Sequence, residues 1–466
     1  MRNPADRSSG QHVDSSGATE PLRLHNLRLT IIYKPIDSIR ANARDPRIYN
    51  RAEYRRIASG LQRFGPVPLI VNAGSVMLSG NVWLAAAKLA GFDEVPVIVA
   101  DHLSPAEADA FMLAQVRLLE RGEWDERKRG EVLRDLTLQD IDFDIAITGF
   151  DPPEIDLKIA ALDQPSEGPD PANEIPPLGP AVTRPGDLWI LRQHRLLCAN
   201  ALTEDSYKTL LRCESAHIVF SDPPFNVKIG GNVSGLGALT HREFAMASGE
   251  MSQDEFTKFL TTALMLMAAN SVNGSLHFIA MDWRHMHELH VAGHKAYESL
   301  ENVCVWCKDN GGMGSLYRSR HELFFVFKKG KKPHRNNVQL GRFERNRTNV
   351  WEYPGVSTFG RGGDEGDLLR LHPTVKPVAL IADALLDASR RGEIVLDPFI
   401  GSGSTIIAAE KVGRRARGIE IDPSYVDVAV RRWERWTGEQ ARLEGDGRTF
   451  REITNERVVE ADDEQE

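Results

Sequence analysis

"HIVFSDPPFNVKIGG", His217 to Gly231, decides how this chain is read. Its apolar start is a buried strand, and the strand must stop at Asp222 because Pro223 and Pro224 have no N–H for a β-ladder. A second stretch, "EIVLDPFIGSGST" from Glu393 to Thr405, repeats the design: an apolar strand, an Asp-Pro stop, then a glycine turn opening a helix. From about Asp187 onward strands alternate with helical segments, the pattern of a mainly parallel sheet covered on both faces. Ligands of such sheets bind at the carboxyl ends of strands. The fold class is therefore α/β, and two strand tips are the candidate site.

The second tip suggests a nucleoside. Gly401 and Gly403 make a tight turn, Ser404 and Thr405 open the helix, and the next strand ends in Glu420 and Asp422. An acid at about this spacing takes the two hydroxyls of a ribose. Ile406 stands where a dinucleotide fingerprint wants its third glycine, and no Gly-Lys-Ser or Gly-Lys-Thr follows. The expected cofactor thus lacks a pyrophosphate, as S-adenosylmethionine does.

The first tip suggests an amine. The exocyclic nitrogen of adenine or cytosine is a poor nucleophile because its lone pair is delocalised into the ring. If the Asp222 carboxylate accepts one N–H and the Pro223 carbonyl the other, the lone pair is turned out toward an incoming methyl group. Those acceptors also stabilise the positive charge that grows on the nitrogen. Phe225 can stack on the ring, and Pro224 helps fix the backbone. A base inside a duplex cannot reach such a site, so it must be flipped out.

These motifs carry a resemblance. "DPPF" at Asp222 to Phe225, then "HPTVKPV" at His372 to Val378, then "DPFIGSGST" at Asp397 to Thr405, is similar to the beta-group, circularly permuted DNA amino-methyltransferases of N6-adenine and N4-cytosine type. The resemblance implies a Rossmann-like S-adenosylmethionine-dependent domain over 186–440. In it Asp397, Phe399, Gly401, Gly403, Ser404 and Thr405 would wrap the cofactor's methionine part. Glu420 would take its ribose, and His372, Thr374 and Lys376 would lie near its carboxylate. Family members usually read Gly-Asp-Ala where this chain has Ala199-Asn200-Ala201, which gives Asn200 the place beside the cofactor's adenine without a charge. Aspartate rather than serine at 222 leans toward adenine N6. Cytosine N4 is the alternative, and a noncatalytic DNA-binding or partition-type protein that keeps the fold is the rival from another class.

The chain has 466 residues, which points to more than one domain. Residues 1–25 read as a polar tail. Residues 26–120 show a compact α/β pattern, 121–163 a helical extension, 164–185 a Pro-rich linker and 441–466 an acidic tail. The first pattern, with "KPIDSIRANARDPRIYN" and "IASGLQRFGPVPLIV", resembles the smaller N-terminal domain of ParB-type partition proteins. That family's basic phosphate-handling stretch reads Gly80-Asn81-Val82-Trp83 here, so no nucleotide hydrolysis is expected.

A hydrophobic content of 41%, a charged content of 26% and no membrane-length apolar run suit a cytoplasmic protein without membrane contact. Four cysteines are too few for a disulfide framework. The net charge of −9 excludes a uniformly basic coat but not a basic groove. Double-stranded DNA is the expected partner, with a homodimer among the open oligomeric states. Lys328, Lys331, Arg342, Arg345 and Arg347 are expected to hold it, within a target-recognition region of about 308–360. No metal is required: "CVWC" at Cys304 to Cys307 reads as structural, and "HMHELHVAGH" lacks the second histidine of a metalloprotease helix.

Overall fold

The computed structural model describes residues 29–139, 142–162, 171–227, 249–309, 311, 316–338, 347–355 and 375–463. The chain divides into two units, Met1–Asp125 with Leu136–Phe150, and Glu126–Asp135 with Asp151–Glu466.

In the first unit β1 (Ile31–Pro35), α1 (Arg51–Phe64), β2 (Leu69–Val71), α2 (Asn81–Ala90), β3 (Glu94–Val99) and α3 (Pro105–Glu120) follow in order. The Asn50 side chain caps α1, Glu53 reciprocates, and Gly65 at φ 89° ends it. The sheet order is β1-β3-β2. β2 pairs in parallel with β3, and Val71 at its end makes an antiparallel bridge to Met77. The stretch that departs from the ParB pattern opens α2, whose Asn81 amide is taken by the Asp45 carboxylate at 3.0 Å. A phosphate would meet that negative charge at the helix end which otherwise attracts anions.

α4 (Glu126–Leu138) and α5 (Pro152–Ala160) follow. Gly130 lies where a Cβ would come within 2.7 Å of the Lys158 carbonyl, so its bareness lets these helices close. In the second unit β4 (Leu188–Leu191), β5 (His194–Cys198), α6 (Glu204–Leu211), β6 (Ala216–Ser221), α7 (Gln253–Ala269), β7 (Ser271–Met281), α8 (Met286–Ala296), β8 (Ser299–Cys307), β9 (His321–Lys328) and β10 (Val350–Glu352) lead into α9 (Val378–Ala388). β11 (Ile394–Asp397), α10 (Ser404–Lys411), β12 (Arg415–Glu420), α11 (Pro423–Thr437), β13 (Arg442–Leu443) and α12 (Phe450–Asp463) complete it.

Its ten strands run in the order β10-β8-β9-β7-β6-β11-β12-β5-β4-β13. The centre from β7 to β5 is parallel, and β9, β4 and β13 are antiparallel to their inner neighbours. Alternate residues face opposite layers, as the pleat requires. Ile218, Phe220, Phe278 and Val395 pack with α9, α10 and α11, whereas Val219, Ile279 and Leu396 pack with α6, α7 and α8.

Two segments read from composition as solvated are built into this unit. In the Pro-rich stretch, Ala172, Asn173, Val182 and Thr183 are buried. Asp427 on α11 accepts the Val182 amide at 2.6 Å and the Thr183 amide at 3.0 Å. In the C-terminal stretch β13 pairs with β4, and Phe450 and Ile453 join the core. Among the described residues no helix is long and apolar enough to cross a membrane.

Candidate functional site

β6 and β11 are parallel neighbours, with Ile218 opposite Val395 and Val219 opposite Leu396. From β11 the chain crosses through α10 to β12 on one side, and from β6 it crosses through α7 to β7 on the other. Divergence of two crossovers from adjacent strands is the switch point at which open α/β sheets bind ligands. Both Asp-Pro motifs stand at its carboxyl end. Ser221 joins them, its hydroxyl donating to Asp397 Oδ1 at 3.1 Å across 176 residues of sequence.

Asp397 braces the glycine turn. Its Oδ2 accepts the Thr405 hydroxyl at 2.6 Å, and its Oδ1 also accepts the Phe399 amide at 3.2 Å. Burial pushes this carboxyl up to about 7 despite those bonds. Asp397 and Thr405 are both buried, and their side chains brace the loop from within. Gly401 and Gly403 have φ of 52° and 81°, and a Cβ on Gly403 would meet Ala429 Cβ at 2.8 Å. Ser404 opens α10, buried, and accepts from Arg432 at 3.0 Å. Phe399 packs on Phe259 of α7 with ring centroids 5.9 Å apart.

Glu420 ends β12. Its Oε2 accepts the Gly401 amide at 2.9 Å and its Oε1 the Asp422 amide at 2.9 Å. Burial raises it to about 7, with those amides pulling the other way. Each oxygen still has a lone pair for a hydroxyl donor. Asn200 lies one strand over, after β5; its Oδ1 accepts the Leu202 amide at 2.9 Å, leaving its Nδ2 as the donor. The backbone ties the two ends together, Ala199 N–H donating to the Glu420 carbonyl at 2.9 Å.

At the tip of β6, Asp222 Oδ2 meets Lys376 Nζ at 2.5 Å. Asp222 Oδ1 is shielded from solvent and has no hydrogen-bond partner among the described residues. Burial drives the Asp222 carboxyl upward, Lys376 opposes it and Glu322 adds to it. Lys376 Nζ also lies 3.0 Å from Glu322 Oε2 and 5.3 Å from the Phe225 ring centre. Glu322 bonds Lys308 in turn. Burial works upward on Glu322, but Lys376 and Lys308 outweigh it and hold its carboxyl at about 2. Lys376 thus spends its charge on two carboxylates and is buried between them, instead of reaching toward a cofactor carboxylate as the family pattern implied.

Asn226 was not singled out from sequence. It is buried at φ 54°, its Oδ1 accepts the amides of Gly249 at 3.0 Å and Met251 at 3.2 Å, and its Nδ2 donates to the Met251 carbonyl at 2.8 Å. It fixes the backbone that follows Phe225. Glu322 was missed as well; a lone acid in the apolar strand "HELFFVF" was the available signal.

The basic run falls elsewhere. β9 is antiparallel to β7, so Lys328 pairs with Leu276 and Lys329 Nζ bonds the Ser271 carbonyl, at the amino ends of the parallel strands. Through Leu276, Lys328 lies level with Ile218 of β6, about 13 Å from Asp222 along the strand at the ~3.3 Å rise per residue. Lys328 is paired with Glu301, and Lys331 is exposed at this wrong end. Arg347 sits between Asp383 at 3.1 Å and Asp387 at 2.8 Å on α9, a structural clamp. These three are corrected as DNA contacts. Arg342, Arg345, His372 and Thr374 lie outside the described residues. At the carboxyl end instead stand Trp283 and Arg284 after β7, and Tyr317, Arg318 and Arg320 before β9, with Tyr317 84% exposed.

A carboxylate with one shielded, unpartnered oxygen among the described residues, an aromatic ring beside it and the acid that ends β12 two strands away thus gather at one end of the sheet. Residues 216–431 match the model of the N6/N4 DNA methylase family, and residues 131–185 match that of the ParB-methyltransferase HTH domain. The type II methyltransferase M2.DpnII of Streptococcus pneumoniae is 26% identical over 247 residues, 49% of this chain and 87% of that protein. Among solved structures, the M1.HpyAVI–SAM complex is 19% identical with a TM-score of 0.37, over 51% of this chain and 97% of its own. The chromosome-partitioning protein ParB of Caulobacter crescentus, complexed with CTP-gamma-S, is 19% identical with a TM-score of 0.26, over 30% of this chain and 81% of its own.

Proposed function

We propose that the second unit methylates the exocyclic amine of a flipped base in double-stranded DNA, adenine N6 by preference, with S-adenosylmethionine as donor. The observation that carries this reading is Asp222 Oδ1, a shielded acceptor at the tip of β6 without a partner among the described residues. Leaving such an atom unpaired costs roughly 1–3 kcal/mol, so it calls for a donor brought by a ligand.

S-adenosylmethionine, when bound, supplies an electrophilic methyl carbon on its sulfonium. The residues fit it: Glu420 offers lone pairs to a ribose diol, Asn200 offers an amide donor, and the turn through Phe399, Gly401 and Gly403 presents backbone held by Asp397, Thr405 and Ser404. Asp222 Oδ1 and the Pro223 carbonyl accept the two amine hydrogens, which holds the nitrogen lone pair out of the ring plane. Phe225 stacks on the base, with Pro224 and Asn226 fixing its loop. Acceptors already in place stabilise the positive charge that develops on the nitrogen without reorganising. Trp283, Tyr317, Arg284, Arg318 and Arg320 flank this end of the sheet and suit the strand on either side of a flipped nucleotide. Aspartate at 222 supports adenine through the family resemblance.

Incubation with isotope-labelled S-adenosylmethionine and unmethylated DNA, followed by nucleoside mass spectrometry, tests the reading. Labelled N6-methyladenine that disappears in Asp222→Ala is expected. N4-methylcytosine would keep the site and change the base. Cofactor binding with no labelled base on any DNA would favour a DNA-binding protein that has kept the fold.

A further inference from the structure

Asp222 ends a chain of alternating charge, Lys308, Glu322, Lys376 and Asp222, whose two middle members are buried and whose ends are partly exposed. The four come from the end of β8, from β9, from the segment before α9 and from the tip of β6, and the Lys376–Asp222 contact spans 154 residues of sequence. Lys376 and Glu322 are 4% and 7% exposed. Two cations and two anions sum to zero, which is the condition under which buried charges persist. Asp397, on the neighbouring β11, is the other acid whose charge Asp222 feels. The contact with Lys376 engages one carboxylate oxygen, which holds the plane of the carboxylate, and the other, Oδ1, has no partner among the described residues.

We infer that Lys376 and Glu322 are positioning residues for methyl transfer: Lys376 keeps Asp222 ionised and fixes which oxygen faces the amine, and Glu322 holds Lys376 in place and shares its charge. The inference rests on the methyl-transfer reading above. A protonated Asp222 could not accept as required, because its proton would sit on an oxygen that has to be an acceptor.

The test is single-turnover methyl transfer by the full chain across about pH 5.5 to about pH 9, with cofactor affinity and thermal midpoint measured alongside. Lys376→Met is expected to slow transfer about a hundredfold at neutral pH. Its rate should climb with pH, because the buried carboxyl has lost the charge that held it ionised. Lys376→Arg, which restores the charge, should recover most of the rate and the wild-type profile. Glu322→Gln should shift the rate profile toward acid, because the charge of Lys376 is then no longer shared with Glu322. A Lys376→Met enzyme with the wild-type profile, or Lys376→Arg as slow as Lys376→Met, overturns the inference.

If the wild type labels no DNA, it is the methyltransferase reading that fails. The charge chain is then judged by stability. Lys376→Met should lose thermal midpoint as pH rises from about 5 to about 8, since a raised folded-state carboxyl pKa contributes stability at low pH that is lost on the way up. A pH-independent deficit would refute it.

Discussion

Cofactor affinity should depend on pH through Glu420. The proposed contact needs an ionised carboxylate, because two ribose hydroxyls donate to it while two backbone amides already do. Burial raises this carboxyl to about 7 in the free protein. At pH 6 about ten molecules in eleven would carry the proton, and at pH 8 about one in eleven. Binding must expel that proton, so the dissociation constant for S-adenosylmethionine should be about tenfold weaker at pH 6 than at pH 8, or about 1.4 kcal/mol. Calorimetry in two buffers of different ionisation enthalpy would show close to one proton released per cofactor at the lower pH. Glu420→Gln keeps the shape and removes the titration; it should bind more weakly than wild type at pH 8 and lose the tenfold slope. Any slope from the ligand's own amino group survives in that variant and is subtracted. A flat wild-type affinity, or a slope that survives intact in Glu420→Gln, would refute the assignment of Glu420 to the ribose.

The first of two further predictions concerns charges that the sequence alone misplaces. Arg347→Ala should destabilise the second unit by about 1–3 kcal/mol in denaturant unfolding, since it removes the cation that two acids of α9 share. Lys331→Ala should change stability by no more than about 0.5 kcal/mol and leave the salt dependence of DNA binding as it was, whereas Arg320→Ala should make that dependence shallower. The second prediction concerns where the chain can be cut. Removing everything before Glu126 should leave the second unit's melting transition in place. Removing residues 1–165 also takes Asp156, which pairs with Arg414 at 2.9 Å and Arg391 at 2.8 Å. That loss should cost about 3–5 kcal/mol, because two largely buried guanidinium groups lose their carboxylate. Equal melting of the two truncations would show that Asp156 carries no such weight.

The parts of the site that a local pattern defines were legible. A strand that stops at two prolines, a glycine turn and an acid ending the next strand are local signals, and they fall where the switch point puts them. What was not legible depends on direction and partnership. A basic run reads the same whether β9 carries it toward the site or away, and only antiparallel pairing with β7 decides that Lys328 lies at the far end. Likewise Lys376 and Arg347 look like free cations until β9 and α9 bring Glu322, Asp383 and Asp387 to them. Composition misled at the Pro-rich stretch for a similar reason. Prolines suit a linker, but they also suit an irregular buried strap whose few amides are answered by one distant acid, Asp427.

Permuted motif order costs this site nothing, and the geometry explains why. The switch point needs β6 and β11 side by side with diverging crossovers, and either strand can come first along the chain. What the order does change is which segment joins the two halves. Here the join runs through the β8–β9 hairpin and the segment before α9, and these supply Lys308, Glu322 and Lys376. The carboxylate proposed to grip the amine is therefore tied to the same stretch of chain that connects the base side of the site to the cofactor side. A change in that join, even one touching neither base nor cofactor, should register first in the ionisation of Asp222 and so in the pH profile of transfer, before it registers in cofactor affinity.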